Sequence, residues 1–435
     1  MSSITKQIAA FAAETGPDRI DPEAMAVMRL SLLDWLSVGI AGRDEPVSGI
    51  VRDMVREEAG AEQASVFGSD VKLPARAAAL ANGTIAHALD YDDTHFANIG
   101  HPSAPVVSAA LAVAEQLGSD GEAFQIACLI GVECATRVGM WLGRDHYQGG
   151  FHQTASAGTF GAAMAAARLM GMDAAQCEMV LGLAATRASG LKSQFGTMAK
   201  PFNAGLAASN GVEAAKLVSR GFVANPLALE TAQGFGPTHM GQADMSALDG
   251  LGRDWVFPTV SHKFHACCHG LHAVLEAARS LGWIDPSHIA AIRVHTHPRW
   301  MTVCNQTEPM TGLGAKFSYG TVLAMHFLGH DTGALDSYTD NLCADSGVQR
   351  LRRLVEVRPD EAVSETGATL EVVLREGENV IASHDLNAPM PLAGREAKVR
   401  AKSQSLIGAG RSEAAWAAIK GNAAGEAIAA FLNSK

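Results

Sequence analysis

Apolar residues recur at helical spacing along most of the chain. Ile4, Ile8 and Phe11 begin the pattern. Met25, Met28, Leu32, Trp35 and Leu36 continue it behind Asp21-Pro22-Glu23, a capping acid with a proline at the first helical position. Further helices are predicted over residues 48–58, 74–90, 103–117, 121–142, 153–170, 173–188, 203–220 and 227–234. These segments are rich in Ala and Gly, and small residues let helix axes approach closely. The texture changes after about residue 284. Residues 288–297 carry β-branched and apolar side chains between Pro286 and Pro298 and read as a strand, and residues 368–387 alternate in two runs about Glu376-Gly377-Glu378-Asn379, a hairpin. Helical pieces at 314–328 and 346–354 lie between them, and the pattern is helical again from Glu396, with one helix at 414–433. The fold expected is mostly α: a large all-helical domain of residues 1–264 and 396–435, with an inserted smaller α+β lid domain of residues 265–395.

Composition narrows the function. Hydrophobic residues make up 48% and charged ones 18%, the balance of a globular chain. The net charge of −11 argues against nucleic acid or an anionic membrane as the partner. An anionic substrate then requires a local cluster of cations. Seven cysteines without regular spacing point to reduced thiols and a cytoplasmic protein. The N-terminal stretch lacks the basic flank and long apolar run of a signal peptide, and the apolar segment 28–40 reads as too short to span a bilayer.

Four polar islands interrupt the apolar pattern. Residues 87–103 hold His87, Asp90, Asp92, Asp93, Thr94, His95 and His101; on a continued helix His87, Asp90 and Thr94 would share one face. His152 stands just before a helix, Lys200 just before Pro201, and residues 261–272 hold Lys263 with His262, His265, His269 and His272. Each lies at a predicted helix boundary, where free backbone N–H groups bind anions. Together Asp90, His101, His152, Lys200 and Lys263 supply an acid, a base and two fixed cations, the requirements for removing a proton next to a carboxylate. Asp92 and Asp93 read as cap or helix-end residues and His87 as a structural neighbour. No CxxC pair, HExxH, nucleotide loop or iron–sulfur spacing occurs, so no metal and no cofactor are expected.

The runs AHALDYDDTHFANIGHPSAPVV, GFHQTASAGTFGAA, QFGTMAKPFNAG, HKFHACCHGLHA and AKFSYG, in this order, resemble the MmgE/PrpD family over essentially the whole chain. That family includes 2-methylcitrate dehydratase, cis-aconitate decarboxylase and iminodisuccinate epimerase. The resemblance implies a helical domain with an inserted lid, a homodimer, and a site that uses neither cofactor nor metal. By motif match it puts the active-site acid on Asp90, the hydroxyl on Thr94, the histidines on His101 and His152 and the lysines on Lys200 and Lys263. Thr94, Gln194, Tyr319 and His272 are the candidate substrate contacts. Three positions depart from the family pattern: Asn203 and Cys268 where members carry His, and Thr321 where decarboxylases carry Tyr. The expected activity is a lyase acting on a small di- or tricarboxylate, foremost dehydration of a 2-hydroxy acid such as 2-methylcitrate. An epimerase of a dicarboxylate, a cis-aconitate-type decarboxylase and a non-catalytic binding protein are the alternatives.

Overall fold

A computed structural model describes residues 3–433. The chain divides into two compact units: one runs to His262 and resumes at Leu392, and the other is Lys263–Pro391.

The first unit is built on long apolar helices. Pro22–Gly42 starts as its sequence dictates: Asp21 accepts from the Glu23 N–H, and Pro22 needs no partner for a missing donor. This helix and Gly121–Gln148 are long and apolar enough to cross a membrane, but 83% and 89% of their apolar windows are buried within the protein. The expectation that the first of them is too short is thus corrected, and core packing accounts for its apolar character. Gly121–Gln148 is longer than predicted and kinks at Gly143, where φ is 73°. The helices Ala75–Ala86 and Ala199–Val218 pack so closely that a Cβ on Gly83 would lie 2.9 Å from the Ala204 carbonyl and from the Gly205 Cα. Gly131 and Gly161 make the same kind of contact between Gly121–Gln148 and Gln153–Leu169. Among the last helices, Leu392–Ile407 packs along Pro22–Gly42. The single helix expected at 414–433 is two, Ala409–Lys420 and Gly425–Asn433, separated at Asn422 by a φ of 53°.

The second unit carries strands β1 (Ile289–Thr296), β2 (Val355–Pro359), β3 (Gly367–Leu374) and β4 (Val380–Asp385), in the order β2-β1-β3-β4. β1 is parallel to β2, with Ile292 opposite Val355, and antiparallel to β3, with Ile292 opposite Val372. The predicted hairpin is β3–β4, with Leu370 opposite Ala382. Ala368, Leu370 and Val372 point one way into the core, the alternation that made the strand readable. The helix His272–Ser280 packs on β3 and β4.

These facts overturn the expected all-helical domain with an inserted lid. The first unit is not all helical: bridges pair Ala64 with Leu73, Thr94 with Ser261, His95 with Gly100 and Phe151 with Leu191. Helical periodicity cannot reveal such pairs: Ala64–Leu73 and His95–Gly100 close irregular loops, and the other two join segments distant in sequence. The predicted helix at 227–234 is a run of turns before the short helix Phe235–Thr238. The chain is largely helical with a four-stranded mixed sheet, and Lys263–Pro391 is a compact α+β unit in its own right.

Candidate active site

The helix Ala75–Ala86 ends earlier than its sequence predicts. His87 is its C-cap, and Asp90 adopts φ 50°, the left-handed region, which no helix continues through. His87, Asp90 and Thr94 therefore do not share a helix face. Tyr91 turns into the core, and Thr94 bridges to Ser261 through N–H to O bonds of 2.9 and 2.8 Å. His95 and Gly100 close the loop that follows. Gly100 passes close to the start of Gln153–Leu169, where a Cβ would lie 2.9 Å from the Thr154 nitrogen. The His101 N–H then donates to Thr154 Oγ1 at 3.0 Å. Asp93 accepts from Ser103 N–H and Oγ at the start of Ser103–Leu117, the capping role its position suggests.

This folding gathers a cluster within the first unit. Asp90 lies 2.6 Å from Lys200 Nζ and 3.4 Å from His101 Nε2. Asp92 lies 3.3 Å from His101 Nδ1 and 2.9 Å from His87 Nδ1. The His87 ring centroid is 4.5 Å from that of His101 and 6.0 Å from that of His152. Asn203 donates to His152 Nδ1 at 3.3 Å, which leaves the imidazole proton on Nε2. Phe195 stands edge-on to His152 at 5.0 Å, with Lys200 Nζ 5.3 Å from its centroid.

Burial sets the protonation of these groups. It would push the Asp92 carboxyl up, but His101 and His87 outweigh it and hold Asp92 well below the usual carboxylate range. Burial, reinforced by His87 when its ring is protonated, by the Lys200 charge and by His101 once it has taken a proton, pushes His152 well below the ordinary histidine value and keeps it neutral. Burial, opposed by the Ser103 bond and aided by the Asp34 charge, raises Asp93 to about 7.

His87, Asp90, Asp92 and His101 place ligand-type atoms within 4.8 Å of one another. A metal there would compete with Lys200 for Asp90 and with two imidazoles for Asp92.

Of the residues expected from sequence, Asp90, His101, His152 and Lys200 come together. Lys200 sits in the first turn of Ala199–Val218 rather than ahead of a helix. Thr94 follows on the same loop, its Oγ1 buried and without a hydrogen-bond partner among the described residues. Gln194 is exposed and accepts from Thr197 Oγ1 at 3.2 Å. Lys263, His272 and Tyr319 belong to the other unit. Lys263 is buried there. His272 bonds the Cys267 carbonyl at 3.2 Å, and the Tyr319 hydroxyl bonds Thr296 Oγ1 and the Gly270 carbonyl, each at 2.9 Å. Both side chains are thereby committed to the interior of that unit. Sequence reasoning underrated His87, Asp92, Asn203 and Phe195. The His-x4-Asp spacing of His87 and Asp92 is a signal, but reading it requires knowing that the helix stops between them.

Helices that end at a histidine–carboxylate cluster, followed by an α+β unit, match one family along the chain. Residues 6–248 match the MmgE/PrpD N-terminal domain and residues 265–419 the MmgE/PrpD C-terminal domain, so the chain belongs to the MmgE/PrpD family. Among curated relatives it is 27% identical to the cis-aconitate decarboxylase-like protein oryM of Aspergillus oryzae, over 77% of each chain. It is also 27% identical to the cis-aconitate decarboxylase of Aspergillus terreus, over 78% of this chain and 75% of that one. The human cis-aconitate decarboxylase is 31% identical over 47% of this chain and 44% of its own.

Proposed function

We propose that the protein is a lyase acting on a small di- or tricarboxylate by proton transfer at the carbon next to a carboxylate. The observation that carries this is His101, which has a carboxylate facing each ring nitrogen, at 3.4 and 3.3 Å, one of them also held by Lys200. Two carboxylates stabilise the imidazolium, the form His101 reaches when it takes a proton from carbon. Lys200 supplies positive charge to a substrate carboxylate, and the Nε2–H of neutral His152 adds a donor as negative charge grows on the enediolate. The carbon–hydrogen bond breaks toward His101, the electron pair enters the enediolate, and the bond to the leaving hydroxyl then breaks. The His101 proton leaves with that hydroxyl as water.

Dehydration of a 2-hydroxy acid such as 2-methylcitrate is the leading case. Cys268 and Thr321 weigh toward it, standing where the family resemblance puts the His and Tyr of decarboxylase-like members. Decarboxylation of a cis-aconitate-type acid is the second reading, favoured by the names of the matched relatives; His101 would then deliver its proton to the carbanion left by carbon dioxide.

Incubating the enzyme in D₂O with methylcitrate, cis-aconitate and iminodisuccinate, followed by proton NMR, separates the readings. A dehydratase yields a conjugated alkene that absorbs in the ultraviolet. A decarboxylase releases carbon dioxide and places deuterium on carbon, and an epimerase exchanges the α proton without forming an alkene. If no acid is bound or turned over, the enzyme reading fails.

A further inference from the structure

We infer that Lys402 is a positioning residue: its ammonium fixes the Tyr91 carbonyl and so sets where Asp90 and Asp92 stand against His101. The inference rests on the reading of that cluster as the reaction site. Lys402 lies on Leu392–Ile407, more than three hundred residues along the chain from the turn it holds. Its side chain is 3% exposed. Nζ donates to the Tyr91 carbonyl at 2.6 Å, pairs with Asp34 Oδ1 at 2.6 Å and lies 4.0 Å over the centroid of the Tyr91 ring. Asp34 comes from Pro22–Gly42, with its side chain 1% exposed.

A buried lysine needs a counter-charge, and Asp34 provides it. That requirement does not explain the carbonyl. Tyr91 is flanked by the two carboxylates that face His101, and the residue before it holds a left-handed φ of 50°. A strained backbone persists only where its surroundings over-determine it. Here the surroundings are the lysine on one side of the turn and the Asp93–Ser103 bonds on the other. Releasing the carbonyl lets Asp90 relax, and Asp90 carries contacts to both His101 and Lys200.

Two double variants separate positioning from charge balance. Asp34→Asn/Lys402→Met removes both charges and the donor. Asp34→Asn/Lys402→Gln removes both charges and keeps an N–H donor for the carbonyl. The readouts are the side-chain ¹⁵N resonances of His101 at neutral pH, assigned with His101→Asn, and kcat and KM on whichever carboxylate the wild type turns over. The methionine protein is expected to fold, to move the His101 resonances more than those of any other histidine, and to lose about tenfold or more in kcat with KM within threefold. The glutamine protein is expected to recover most of both. Wild-type resonances and kcat in a folded methionine protein would overturn the inference, as would equal losses in the two proteins. If the methionine protein does not fold, Lys402→Arg replaces it: the longer guanidinium keeps the charge but reaches past the carbonyl, and wild-type values there overturn the inference. The resonances need no substrate. A wild type inactive on every acid therefore sinks the proposed function, while the resonance shift still decides the role of Lys402.

Discussion

The chain gathers histidines in two places with opposite surroundings: three brought together from residues 87 to 152 in the first unit, and three within residues 265–272 in the second. In the first unit His87, His101 and His152 face carboxylates, a lysine and an amide, around an Asp90 side chain that is 46% exposed. In the second unit His265 is fully buried, between Thr332 Oγ1 at 2.7 Å and Glu276 Oε1 at 3.2 Å, and His272 bonds a backbone carbonyl. The second cluster has the Thr–His–Glu order of a nucleophile relay, yet all three groups are buried. Histidine density alone does not make a reactive site. Under the proposed function, the mixed exposure of the first cluster beside fixed charges is what lets a proton reach a substrate.

The largest test of this contrast is His101→Asn, which should lower kcat by about 10²–10⁴-fold with the fold intact, the range for losing a proton-transfer group. Circular dichroism and turnover on the same preparation check it. Next comes Lys200→Met: KM for the carboxylate should rise more than tenfold, and salt should weaken wild-type binding but not that of the variant. The opposite pattern is expected in the second unit. His265→Phe should cost about 1–3 kcal/mol of stability by taking the imidazole from between Glu276 and Thr332, with kcat of the folded protein unchanged. Urea unfolding beside kinetics decides it, and a large kcat effect would erase the distinction between the clusters.

The last test concerns pH. Asp93 is raised from an ordinary 3.8 to about 7, so between those values the folded state binds a proton that the unfolded state has released. Its contribution is fully present below pH 3.8 and is lost as pH rises through about 7. Asp93→Asn should accordingly gain on the wild type as pH rises across this window and keep a constant offset above it, as read by melting temperature against pH.

Much of the fold could be read from periodicity. The helix Ser103–Leu117 and the β3–β4 hairpin follow from alternation and capping, which are local. β2 escaped because Val355–Pro359 is five residues with no buried face, paired only through its parallel neighbour. In the site, the acid, two histidines and a lysine were legible as polar residues in apolar surroundings. Their partners were not. Asp90 is a non-glycine residue with positive φ, so the sequence continues a helix where the chain reverses, and Asp92 and His87 come to face each other only after that reversal. Tyr319 and His272 illustrate the converse, polar residues whose partners are the interior of their own unit.

The glycine contact between Ala75–Ala86 and Ala199–Val218 has a consequence for divergence. Asp90 and Lys200 each stand a short way beyond that crossing, one after the end of its helix and the other in the first turn of the second. The crossing therefore meters the reach between acid and ammonium. A single methyl at Gly83 or Gly205 would pry the helices apart and widen that gap. Substitution at either glycine is thus expected to lengthen the Asp90–Lys200 contact while every polar residue of the cluster stays the same.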